Sequence, residues 1–194
     1  MARKEKILRF LNDYHIITTQ EAAKLDINAM FLSRAVHDGW LYRVARGIYT
    51  CDLDLPFDSL KKYLSVTVQC EDAVVALVSA LTFHELTDEE EKNLCFALPH
   101  SKKFQNQKDV QIIRLSGAAF SLGIEDHAIG NRKVRIYNQE KSIVDAFKYL
   151  GEDLAIKSLK NYIKQPKIDL DKLLTYSEKL KKPLHNQVKT IMTV

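Results

Sequence analysis

The sequence predicts an α+β protein: an N-terminal winged helix-turn-helix, then a second domain built of a small antiparallel sheet and C-terminal helices. Three observations carry that prediction. Three apolar-periodic segments and a glycine-centred strand pair fill the first fifty residues. Short apolar stretches broken by turn signals occupy the middle. From "QEKSIVDAFKYL" onward the spacing is helical, with stops at Gly151, Pro166 and Pro183.

Ile7, Leu8, Leu11 and Tyr14 recur at helical spacing with Phe10 alongside, so the first helix runs from about Ala2 to Tyr14. In "ITTQEAAKLDI", Thr18 or Thr19 can cap a short second helix ending near Leu25, and Glu21 stands three residues after Thr18, a capping-box spacing. Asn28 caps a third helix that extends to about His37, and Gly39 stops it. "DGWLYRVARGIYTC" then supplies strand formers around Gly47, a two-stranded wing with Arg43 and Arg46 at or beside its turn.

The domains are expected at residues 1–52 and 60–194, with "DLDLPFDSLK" (Asp52 to Lys61) as the boundary because it alternates acids with apolar residues around Pro56. Beyond it, an apolar helix or helix pair is expected from about Asp72 to Leu86. "LCFALP" and "VQIIRLS" follow as strands, and "IEDHAIGNRKVRIYN" as a hairpin turning at Gly130–Asn131.

Charge is unevenly spread. Residues 1–50 hold 8 Lys/Arg against 5 Asp/Glu, residues 51–150 hold 12 against 15, and residues 151–194 hold 9 against 5. Two basic ends flanking an acidic middle make polyanions candidate partners. Cys51, Cys70 and Cys95 are odd in number and widely spaced, which speaks against a disulfide framework or a zinc ribbon and suits a reducing cytoplasm. No apolar run approaches the ~18 residues of a membrane span, and "MARKEKILRFLNDY" lacks a signal-peptide core. A soluble, cytoplasmic protein without membrane partners is expected.

The third helix separates into two stripes. Ala29, Leu32 and Val36 should pack inward, whereas Met30, Ser33, Arg34 and His37 fall on a second, polar stripe. In a helix-turn-helix this helix enters the major groove of double-stranded DNA. Arg34 can fork onto guanine, while Ser33 and Asn28 can reach base edges or phosphates. His37 sits at the helix end, where a dipole contact competes with base reading. Thr19 and Gln20 could cap a phosphate at the start of the second helix, and Arg43 and Arg46 could track phosphates or enter a minor groove. A protein-binding helical module is the bland alternative.

"TTQEAAKLDI", "LSRAVHDGWLYRVARGIY", "SALTFHEL" and "VRIYNQEKSIVDAF" together resemble the AbiEi-type antitoxin and transcriptional regulator family of bacterial abortive-infection systems. The likeness covers nearly the whole chain, is most specific over residues 18–50 and 77–150, and is weakest after Gly151. The resemblance implies a winged-helix DNA-binding domain followed by an antitoxin domain. It also implies autorepression of an operon shared with a nucleotidyltransferase-like toxin, with or without a stable complex between the two. One winged helix reads few base pairs, so two copies binding cooperatively to an operator with inverted repeats are expected.

Enzymatic alternatives find little support. The six histidines are scattered, and the sequence has no P-loop, G-x-S-x-G or G-x-G-x-x-G. No catalytic residue, metal ligand or cofactor is therefore expected. The sharpest rival, a metal-dependent nuclease, needs two carboxylates and a lysine on adjacent strands. Glu90 and Lys92 have the spacing with Asp72 upstream, but "TDEEEK" is read as a solvated segment and Asp72 as a helix cap. His84 is expected as a hydrogen-bonded core histidine and Asp145 as a buried polar anchor. Lys157, Lys160, Lys164 and Lys167 line either a solvated helical face or a second polyanion surface. A ligand-responsive repressor with an effector pocket in the second domain is the other functional class left open.

Overall fold

The computed structural model describes residues 2–58, 60–105 and 107–193; Ser59, in the expected linker, lies outside them. The chain forms two compact units. One comprises Met1–Glu71 with His127–Val134, the other Asp72–Asp126 with Arg135–Val194.

The first unit begins with α1 (Arg3–Tyr14), which buries Ile7 and Leu11 one turn apart and stacks Phe10 on Tyr14 at 4.4 Å. Helix α2 (Thr19–Lys24) follows β1 (Ile17–Thr18), and Thr18 is its cap: the Thr18 hydroxyl accepts from the Glu21 N–H at 3.1 Å while the Glu21 carboxylate accepts from the Thr18 N–H at 2.8 Å. Helix α3 (Ala29–His37) starts where the Asn28 side chain accepts from the Phe31 N–H at 2.9 Å. Strands β2 (Tyr42–Ala45) and β3 (Ile48–Thr50) complete an antiparallel sheet of order β1-β3-β2. The sequence predicts two of those strands. Two residues are too few to display alternation, so β1 is recognisable only from its pairing of Ile17 with Tyr49 and Thr18 with Ile48.

The described residues of the expected boundary, 52–58 and 60–61, are tied to one another by local bonds. Leu55–Phe57 forms a 3₁₀ turn, and the Asp58 carboxylate accepts from the Leu60 and Lys61 N–H groups. The Lys61 ammonium bridges Asp52 at 3.3 Å and Asp58 at 3.5 Å. The acid–apolar alternation is thus consumed locally. A second 3₁₀ turn (Lys61–Tyr63) and α4 (Leu64–Thr67) then bury Tyr63, Leu64 and Val66 completely, and the break between units falls after Glu71.

In the second unit the expected helix from Asp72 is preceded by a strand. β4 (Val74–Val75) leads into α5 (Leu77–Phe83), because the fully buried Val-Val pair suits a central strand. β5 (Leu94–Pro99), β6 (Val110–Leu115), the short helix α6 (Ala118–Ser121), β7 (Ile124–Ile129) and β8 (Arg132–Tyr137) follow. The sheet has order β6-β5-β4-β8-β7. It is mixed rather than antiparallel: β4 runs antiparallel to β5 but parallel to β8, and β5 runs parallel to β6. The polar stretch after Pro99 is long enough to return along a six-residue strand, so the second strand restarts at the same end as the first.

Helices α7 (Gln139–Tyr149), α8 (Glu152–Ile163) and α9 (Leu170–Lys179) stop just before Gly151, Pro166 and Pro183, and α10 (His185–Met192) follows. Their core gathers Leu81, Ile143, Val144, Leu159, Tyr162 and Leu173. Among the described residues, no helix is long and apolar enough to cross a membrane.

Candidate nucleic-acid interface

Helix α3 turns Leu32 and Ala35 inward and leaves Ser33, Arg34 and His37 exposed, with Met30 73% exposed beside them. The predicted polar stripe is thus intact and solvent-facing. The inward stripe differs from expectation at Ala29, which is exposed, and at Ala35, which replaces it. Leu32 and Ala35 with the partly buried Phe31 and Val36 form the packing side. Asn28 is exposed, yet its carboxamide oxygen is committed to the Phe31 cap. The amide donors of its side chain and the second lone pair of that oxygen remain for a ligand.

The β2–β3 hairpin, expected as a wing, turns at Arg46–Gly47, and both Arg43 and Arg46 are exposed. A bulge between Arg43 and Ala45 shifts the register of β2 against β3, and the Arg43 Nε donates to the Ala45 carbonyl at 3.3 Å. Gly47 has φ +74, and a Cβ there would lie 2.7 Å from the Thr19 hydroxyl. Thr19 holds this turn: its N–H and its hydroxyl both donate to the Gly47 carbonyl, at 2.9 and 3.0 Å. The expected phosphate contact by Thr19 therefore lacks a free donor, because the wing consumes both. Gln20, one residue on, is exposed.

What these residues offer is a set of guanidinium and polar donors on one helix and one ribbon. Arginine forks match guanine O6 and N7 or phosphate oxygens, and neither task needs a metal or an acid–base pair.

One residue of this unit is not marked by any pattern in the sequence. Arg132, at the β7–β8 turn, donates from Nη2 to both Glu21 oxygens at 2.9 and 3.1 Å, although 111 positions separate the pair. The basic run after Gly130–Asn131 is its only local signal, and nothing in it names the partner.

The nuclease constellation is not assembled. Glu90 and Lys92 are exposed in an irregular segment, and Asp72 is occupied by the Lys102 ammonium and the Arg135 guanidinium. Among the described residues no group of three or more His, Cys, Asp and Glu could hold a metal ion. The His84 Nε2 donates to the Tyr137 carbonyl at 2.7 Å, as a core histidine would. Lys157, Lys160 and Lys164 share a concavity with Asp88, Glu89 and Glu90, whose charge opposes theirs.

The segment that carries helices α1–α3 and the β2–β3 hairpin, residues 5–50, matches a model of transcriptional regulators. The family is that of the AbiEi antitoxins, described as "Transcriptional regulator, AbiEi antitoxin", and it is a family of regulators rather than of enzymes. No curated protein matches the chain. Among solved structures, the RV2827C protein from Mycobacterium tuberculosis is similar with a TM-score of 0.59 at 14% identity, over 98% of this chain and 76% of that one. That likeness concerns the fold.

Proposed function

We propose that the first unit is a winged helix-turn-helix that binds double-stranded DNA, and that the protein is an antitoxin and autorepressor of a bacterial abortive-infection operon. The observation that carries the reading is the exposed stripe Met30, Ser33, Arg34 and His37 on a helix whose other side is buried, within a segment matched to AbiEi regulators. Helix α3 enters the major groove, where Arg34 forks onto guanine and Ser33, Asn28 and His37 approach bases or phosphates. Arg43 and Arg46 take backbone phosphates or the minor groove, and Gln20 flanks them. Thr19 serves the interface by holding the wing. Two copies occupy inverted repeats cooperatively in the cytoplasm. Residues 60–194 hold the antitoxin function against a nucleotidyltransferase-like toxin encoded by the same operon.

Gel shifts with the promoter upstream of the gene test the reading. Arg34→Ala should lower specific affinity by ~1–3 kcal/mol and relax discrimination at one base pair. Arg43→Ala with Arg46→Ala should weaken all sequences alike and flatten the salt dependence. Unchanged binding by the triple variant would overturn the assignment.

A second reading, a ligand-responsive repressor, draws on a cavity of about 520 Å³ between α8 and α10. Ile156, Ile163 and Ile191 line it with Lys160, Lys164 and Thr190. Its size is that of small-molecule sites. A screen of organic anions for a rise in melting temperature, abolished by Ile163→Asp, separates this reading from the first.

A further inference from the structure

The tip of the β7–β8 hairpin joins the first unit, and its contacts run without a gap to the wing. The Arg132 Nε donates to the Tyr14 carbonyl at 3.0 Å, and Nη2 donates to the Ile16 carbonyl at 2.9 Å as well as to Glu21. Its guanidinium also lies over the Tyr14 ring, 5.3 Å from the centroid. Glu21 in turn accepts from the Thr18 N–H and hydroxyl at 2.8 and 2.9 Å. The next residue, Thr19, holds the Gly47 carbonyl in the wing turn.

Each link has a physical reason to matter. Helix α1 has no basic residue in its own last turn, and Arg132 supplies the missing cation and donor there. Beyond Ile48 the wing is a two-stranded ribbon, since β1 pairs only with Ile48 and Tyr49. Such ribbons are marginal alone, so the orientation of Arg46 depends on the Thr19–Gly47 tie. Arg132 is only 14% exposed, and its Nε and Nη2 donate within the unit, so its role here is a structural contact rather than a phosphate contact. The backbone holds the tip as well: the Asn131 N–H donates to the Asp13 carbonyl at 2.9 Å. A Cβ on Gly130 would come within 2.3 Å of that same carbonyl oxygen.

We propose that Arg132 is a positioning residue of the DNA interface. Through Glu21, Thr18 and Thr19 it fixes the wing relative to α3, so residues 127–134 set DNA affinity without touching DNA. The inference rests on the DNA-binding reading above.

Anisotropy titrations of the full chain with a promoter duplex, repeated across a range of salt, test it. Arg132→Gln should weaken binding by roughly tenfold and flatten the log–log salt slope by ~0.9 for each phosphate that the wing no longer neutralises. Adding Arg43→Ala and Arg46→Ala in that background should cost nothing further, because the displaced wing no longer reaches those phosphates. Arg132→Lys should recover part of the affinity, since it keeps the charge but not the fork. Thr19→Val leaves Arg132 and Glu21 in place and should flatten the slope in the same way. It carries the test if Arg132→Gln does not fold. A lower melting temperature with an unchanged slope in the folded variants would make Arg132 a purely structural residue and overturn the proposal. Additive effects would overturn it too. If Arg34, Arg43 and Arg46 can all be removed from the wild-type chain without effect, the DNA-binding reading itself fails, and the same titrations reveal it.

Discussion

Lys141 has no exposed side-chain surface, and its ammonium pairs with Asp145, itself 2% exposed, one turn along α7. The ammonium also lies 4.3 Å from the centroid of the Tyr137 ring. Burial pushes the Lys141 ammonium below its ordinary value and the Asp145 carboxyl above its own, while their attraction opposes both shifts. Asp145→Asn leaves a buried cation without its counter-charge and should cost about 3–5 kcal/mol, read as a lower urea midpoint. Replacing both, Lys141→Met with Asp145→Leu, should return the midpoint to near wild type. If the double variant is destabilised as much as the single one, packing rather than charge governs the site. Asp72 behaves in the opposite sense. Its hydrogen bond to Lys102, with the charges of Lys102 and Arg135, holds its carboxyl below the ordinary value despite some burial. The stability it adds is therefore complete above the ordinary aspartate range and is lost as pH falls through the depressed value. Urea midpoints from neutral pH into acid should fall less for Asp72→Asn than for wild type. Of these residues, the sequence shows Asp145 as a buried polar anchor, because it sits inside "SIVDAF". Lys141 is hidden from such a reading: a lysine and an aspartate four apart look the same on a solvated helix as in a core.

Among the elements, those whose signals are local are the ones the sequence displays. Thr18 with Glu21 marks the start of α2, Asn28 that of α3, and Gly130–Asn131 the β7–β8 turn. What decides strand pairing lies elsewhere in the chain. The parallel pairing of β5 with β6 and the insertion of β4 between β5 and β8 join segments far apart in the chain, and no short window contains both partners. The interface shares this division. The exposed α3 stripe and the arginines of the β2–β3 hairpin can be picked out from the sequence, but the Thr19–Gly47 tie cannot, because it joins residues 28 apart. The wing turn makes a direct prediction. Gly47→Ala must hold φ +74 with a Cβ 2.7 Å from the Thr19 hydroxyl, so it should destabilise the unit by about 1 kcal/mol or more. It should also weaken DNA binding more than an alanine at exposed Gln20 does. Melting curves and gel shifts on the two variants check both statements.

At the level of the whole molecule, the first unit is discontinuous in sequence, since His127–Val134 belongs to it. The sequence suggests two functions separable near residue 55, and the packing makes that separation asymmetric. A fragment of residues 1–71 lacks Arg132, so Glu21 is left without its cation and the Tyr14 and Ile16 carbonyls without their donors. It should melt below the full chain and bind DNA more weakly, even though it contains α3 and the wing. Calorimetry and gel shifts on the fragment test this; equal melting and equal affinity would show that the hairpin tip is dispensable.

That discontinuity also orders events during synthesis. The helices and the wing are complete once Thr50 has been made, but the residues that lock them arrive with Arg132. At ribosomal speeds of about 5–20 residues per second, the roughly eighty residues between them take on the order of 4–16 s. A nascent chain in that interval carries α3 and the β2–β3 hairpin with Arg34, Arg43 and Arg46, and lacks Arg132. A polypeptide ended in that interval never gains the Arg132 contacts, so on the proposed reading it should stay as weak a DNA binder as the fragment of residues 1–71.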